Sequence, residues 1–244
     1  MKERAKQVLG VDASKGGWIV VQICECQMTV KEYKRFSDAM NAYPNPGRML
    51  IDIPIGLPFS KEEAEHRPEK EVRKGLPGKA SSVFTVPCVQ AAKQNNYAKA
   101  NHCNKDLLGK GLSIQSYNIM KKALEVNRFL SQHPSYIPII KEAHPELQFA
   151  QFTKKKLPIK ASKKTSEGIL EREDLLMKLL KQYVHIHTPL HTFDLYEKYP
   201  DDVLDATCLA MAALFGEKYG FKTIPKHSIQ NQRGIPMEMT YYSL

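Results

Sequence analysis

The chain has 244 residues, enough for one large α/β unit to bury an adequate core without covalent staples. Its five cysteines (Cys24, Cys26, Cys88, Cys103, Cys208) are scattered and form no pair of CxxC elements, which argues against a zinc-finger or disulfide framework and suits a reducing compartment, the cytoplasm. The 36 basic and 26 acidic side chains leave a formal charge of +10, a field that attracts polyanions such as nucleic acid and equally fits a plainly solvated lysine-rich surface.

The N-terminus is charged and runs directly into a strand-like segment, and no apolar run reaches about 18 residues, so neither export nor a membrane span is expected. Residues 7–13 form a short apolar run. Gly16 and Gly17 then supply a tight turn before the β-rich run Trp18 to Cys24, a pattern that predicts a hairpin. A third strand is expected from about Met28 to Phe36, where apolar and polar residues alternate. A short helix over 37–43 must end before Pro44-Asn45-Pro46-Gly47. Met49 to Ile53 reads as a buried parallel strand reached by a crossover.

The stretch 59–111 is polar and interrupted by prolines, which predicts an irregular insertion with short helices. Ser113 can cap a helix running to about Gln132, and a buried strand is expected over 137–143. Pro145 suits the first turn of another helix, and Thr165 or Ser166 can begin one ending near Leu180. The last helix is expected from Asp201, its cap, to Tyr219 before Gly220, with an apolar arc wide enough to be well buried. Pro236 to Tyr242 suits a short final strand. With no repeat and no linker, one domain over 1–244 carrying the insertion is expected.

This order of elements builds a five-stranded mixed sheet, order 3-2-1-4-5, flanked by helices. The fourth strand lies beside and parallel to the first, because right-handed crossovers return to a neighbouring position. Asp12 and Asp52 then meet at the carboxyl ends of adjacent strands, where open α/β sheets bind ligands. Asp12 also fits a cap of the turn at 14–17. Asp52, between Ile51 and Ile53, would cost several kcal/mol as an unpaired buried carboxylate, so a cation is expected beside it. Glu142 and His144 share a face by the period-two rule, while Glu146 is explained by the helix dipole alone. Asp202 and Asp205, three apart, project from one helical face, and the dipole accounts for Asp202 more comfortably than for Asp205.

The segments VLGVDASKGGW (8–18), IDIPIGLP (51–58), SSVFTVP (81–87), EAHPELQF (142–149), DDVLDA (201–206) and RGIPMEM (233–239) resemble the DUF429 family, whose members are predicted RNase H-like nucleases related to the RuvC and YqgF groups. The resemblance spans almost the whole chain. It implies an RNase H-like fold and metal-dependent phosphodiester hydrolysis, with Asp12 on the first strand, Asp52 on the fourth, Glu142 on the next, and Asp202 with Asp205 on the final helix. One segment departs from the family pattern: in HRPEKEVRKGLPG (66–78) an acid is expected after the first arginine, whereas Pro68 and then Glu69 follow.

These residues define a working expectation of two Mg2+ or Mn2+ ions about 4 Å apart. Asp12 bridges them, Asp52 and Glu142 complete one sphere, and Asp202 or Asp205 the other. Lys15, Arg73 and Arg172 are candidates to meet substrate phosphates. His144 is a candidate proton shuttle or a satisfied histidine at a helix start. Two other classes stay open. The Gly10–Gly17 hairpin also resembles the first phosphate-contacting hairpin of actin-like ATPases and sugar kinases, and a catalytically silent nucleic-acid-binding module would carry the same fold and charge.

Overall fold

The computed structural model describes residues 7–243, so the charged stretch 1–6 at the N-terminus lies outside the described residues. Strands β1 (Val8–Ala13), β2 (Trp18–Cys24) and β3 (Gln27–Tyr33) form an antiparallel meander. Helix α1 (Phe36–Ala42) carries the chain across to β4 (Arg48–Ile51), which pairs parallel to β1. β5 (Ile140–Glu142) adds parallel to β4, completing a five-stranded mixed sheet in the order 3-2-1-4-5.

Between β4 and β5 lie the insertion helices α2 (Lys61–Glu65), α3 (Glu69–Lys74), α4 (Val89–Ala92) and α5 (Tyr97–Leu108), then the long α6 (Ile114–Gln132). After β5 come α7 (Pro145–Phe152), α8 (Ser166–Leu179), α9 (Asp194–Lys198) and α10 (Pro200–Tyr219). No helix among the described residues is long and apolar enough to cross a membrane.

Alternation along the strands divides the core in two. Leu9, Val11, Trp18, Val20, Met49, Ile51 and Ile140 pack with Met120, Ala123 and Leu124 of α6 and Phe36 of α1. Their neighbours Val8, Ile19, Val21, Ile23 and Leu50 pack on the other face, against α10 and α8. Because successive residues of a strand face opposite ways, these two sets fix which face every strand residue serves. α10 is buried almost all round and lies directly on β1. A Cβ at Gly10 would stand 1.9 Å from the Ala206 carbonyl oxygen and 2.3 Å from the Ala210 nitrogen, so only glycine permits this approach of helix to strand.

Most element ends follow local chemistry. The Ser113 hydroxyl accepts from the Ser116 N–H at the start of α6, and the Thr165 hydroxyl accepts from Gly168 N–H at the start of α8. Two expectations are corrected. The fifth strand is three residues long rather than seven. Pro138 has no N–H for a ladder, and Pro134–Tyr136 form a 3-10 turn instead. Asp201 is not the cap of the last helix: Tyr199 occupies that position and Pro200 the first helical one, where a missing N–H costs nothing. The expected final strand is present as β7 (Met239–Tyr242), and it pairs antiparallel with β6 (Phe221–Ile224), a strand not expected from the sequence.

Candidate metal centre

Asp12 is on β1 at the position opposite Ile19, whose side chain belongs to the α10 face. Asp52 follows β4 directly, and its N–H donates to the Val11 carbonyl at 3.0 Å, which extends the β1–β4 ladder by one step. Asp205 descends from the first turns of α10, on the side that Gly10 admits to the sheet. These three side chains each offer a carboxylate oxygen, and the three atoms lie within 4.8 Å of one another.

Asp12 and Asp205 are buried, and Asp52 is partly buried. Burial, then the neighbouring charges of Asp52 and Asp205, pushes the Asp12 carboxyl well above its usual value. Burial also raises Asp52, against the lowering influence of His144 and with Asp205 adding to the rise. Asp202 is at the rim, partly buried, and is pushed up to about 6 by desolvation in spite of Lys163. Asp12 does not cap the following turn. Ser14 closes it, its hydroxyl accepting from Gly17 N–H at 3.0 Å, while Lys122 of α6 donates to the Ser14 and Gly17 carbonyls.

Glu142 does not join these acids. It pairs in register with Ile51 and shares a face with Ile140, so it points to the α6 side of the sheet, opposite to Asp12 and Asp52. Ala143, which follows β5 directly and whose N–H donates to the Ile51 carbonyl at 3.0 Å, is the residue beside Asp52. The Glu142 carboxylate accepts from Ile55 N–H at 2.7 Å and from the Arg67 guanidinium at 2.8 and 3.0 Å. Arg67 also donates to Glu69 and to the Ile55 carbonyl. The segment whose Pro68 and Glu69 depart from the family pattern therefore locks the loop that follows Asp52. One guanidinium serves two buried acids, and burial raises Glu142 to about 8 although Arg67 pulls it down.

The basic candidates separate in the same way. Lys15 is exposed in the turn after Asp12. Arg73 donates through Nε to the Val83 carbonyl at 2.9 Å and so braces the segment 81–87. Arg172 is fully buried, donating to Glu146 at 2.6 Å and to the Gly168 carbonyl at 2.9 Å; the expectation that it meets substrate phosphate is withdrawn, because no phosphate reaches it. His144 is buried at the N-terminus of α7 with Nε2 3.3 Å from the Ser82 carbonyl oxygen.

Lys163 belongs to the lysine-rich loop 154–164, and instead of facing only phosphate or water its Nζ lies 2.5 Å from Asp205 Oδ2. The attraction of Asp205, then of Asp12 and Asp52, raises the Lys163 ammonium above its usual value despite desolvation. No spacing rule could have selected it from six nearby lysines, since its partner is 42 positions away.

A family model described as "Protein of unknown function (DUF429)" matches residues 10–228. No curated protein and no solved structure matches the chain.

Proposed function

The chain belongs to the DUF429 family, whose function is unknown, and we propose that it is a divalent-metal-dependent nuclease with an RNase H-like fold. The observation that carries this reading is the convergence of Asp12, Asp52 and Asp205 at the carboxyl end of a 3-2-1-4-5 sheet. Three carboxylates crowded out of water repel one another, and a cation between them removes that cost. An all-oxygen donor set suits Mg2+ or Mn2+.

A divalent ion held there would supply a Lewis acid and a bound water of lowered pKa. The chain's own groups do the rest. Asp12, on a strand, and Asp205, on a helix seated against that strand, fix two ligand directions rigidly. Asp52 is held by its ladder bond and by the Arg67-braced loop beyond it. Asp202 at the rim is positioned to take a proton or a water. Lys163 balances the acids, and the exposed Lys15 and the neighbouring lysines of 154–164 offer charge to a polyanionic substrate, nucleic acid.

The test is a thermal melt with and without Mn2+, paired with cleavage of single-stranded, duplex, hybrid and branched nucleic acids. Mn2+ should raise Tm and license cleavage, and Asp52→Asn should abolish both. An unchanged melt in saturating Mn2+ would sink the proposal, as would stabilisation by ATP without any cleavage.

A further inference from the structure

Asp12, Asp52 and Glu142 line one end of a recess of about 120 Å³, whose other walls are residues 82–86 of the insertion, Ile53 and Ile119 of α6. Building on the nuclease reading, we propose that this recess receives one unstacked heteroaromatic base of the substrate, so that the strand presented to the acids is single-stranded at that point. A dry cavity of roughly 150 Å³ admits benzene, so a space of this size takes one ring and no base pair. Enzymes that must hold a base outside its stack use a snug pocket with apolar faces and a few edge contacts.

The walls have that composition. Val83, Val86 and Ile119 give apolar faces, Phe84 adds an aromatic ring, and Glu69 and His144 bring polar edges. The recess is built rather than incidental. The Arg73 guanidinium holds the Val83 carbonyl, the Ser116 hydroxyl donates to the Thr85 carbonyl at 2.7 Å, and the Ser82 hydroxyl donates to the Lys79 carbonyl at 2.7 Å. A pocket already formed loses little conformational entropy when it is filled.

His144 supplies an independent sign of a ligand. Its Nε2 faces the Ser82 carbonyl at 3.3 Å and the Ser82 hydroxyl oxygen at 3.4 Å; the carbonyl can only accept and the hydroxyl proton already goes to the Lys79 carbonyl, so a ring proton on Nε2 satisfies both and leaves Nδ1 as an acceptor. That Nδ1 is buried and has no hydrogen-bond partner, on a residue only 7% exposed. Buried polar atoms are normally satisfied, and His144 lines the recess, so its imidazole is the polar edge that an N–H of a base seated there would meet. The carboxylate of Glu69 is a second acceptor on the same wall, so a ring edge rich in N–H donors fits best.

The probe is a fluorescent single-stranded oligonucleotide of mixed sequence, compared with an abasic strand of equal length and charge and with the annealed duplex. The base-bearing strand should bind roughly tenfold more tightly than the abasic strand, and the duplex should bind no better than the abasic strand. Ile119→Trp, and separately Val83→Phe, should fill the recess and erase the difference while leaving the Mn2+-induced shift in Tm intact. Equal binding of base-bearing and abasic strands overturns the proposal, as does a difference that survives both filled variants. If Mn2+ leaves the melt unchanged while the difference persists, the metal reading fails and the base pocket stands; a Mn2+ shift without the difference is the reverse.

Discussion

Replacing Arg67 with methionine tests the support behind the metal centre more directly than any change at the acids. Arg67, Glu69 and Glu142 are all buried, and Arg67 is the cation for both carboxylates as well as a donor to the Ile55 carbonyl. Methionine keeps most of the volume but leaves three acceptors without their donor. Breaking a buried ion pair from one side costs about 3–5 kcal/mol, because the partner charge stays behind desolvated. For a chain of this length each kcal/mol moves Tm by about 2–4 °C, so Arg67→Met should melt roughly 6–20 °C below wild type at pH 7. The loss should depend on pH. Glu142 is raised from 4.5 to about 8 in the folded protein, and an acid whose folded pKa is raised destabilises progressively as pH climbs between those values. Without Arg67 the folded-state value climbs above 8, so up to about pH 8 Glu142 is neutral in both folded proteins and adds no pH-dependent difference, and the variant's penalty should grow only as pH rises beyond about 8. Urea denaturation of both proteins from about pH 5 to 10 measures it. A penalty under about 1 kcal/mol, or one that stays flat above about pH 8, would refute the argument that the triad is desolvated and mutually dependent.

Asp12→Asn should stabilise the metal-free protein by roughly 0.5–2 kcal/mol, by relieving repulsion among the acids, while removing the Mn2+ shift in Tm; a destabilised variant that still responds to Mn2+ contradicts the site. Lys163→Met should bind Mn2+ more tightly in calorimetry, since no resident ammonium competes for Asp205, and should cost the metal-free protein about 1–3 kcal/mol; weaker Mn2+ binding would show that the lysine supports the ion rather than replacing it. With Asp202 raised from 3.8 to about 6, wild type should lose stability relative to Asp202→Asn as pH rises from about 4 through 6, and saturating Mn2+ should flatten the difference. Gly10→Ala should cost at least about 1–3 kcal/mol and weaken Mn2+ binding, because the new methyl drives α10, and Asp205 with it, away from β1. Retention of wild-type Tm and Mn2+ affinity by that variant would show that the strand–helix approach is not what places the acids.

The sequence by itself determined the elements and their order wherever a local rule applies. Trp18–Cys24 is a strand because it is rich in β-branched and apolar residues and follows the turn glycines Gly16 and Gly17. Ser113 and Thr165 start helices because their hydroxyls satisfy free N–H groups, and the crossover rule alone sets the fourth strand beside the first. That was enough to bring Asp12 and Asp52 to one edge.

What tertiary structure alone decided is which charges meet. β5 has three residues, too few for alternation to reveal its face in the sequence, and a one-residue difference in register sends Glu142 to the far side of the sheet and leaves Ala143 beside Asp52. Arg67 finds Glu142 across 75 positions and Lys163 finds Asp205 across 42, while Arg172 turns inward to Glu146. Charge attraction has no sequence period. A side chain's partner is set by where packing of the apolar faces leaves it, and that packing is a property of the whole fold.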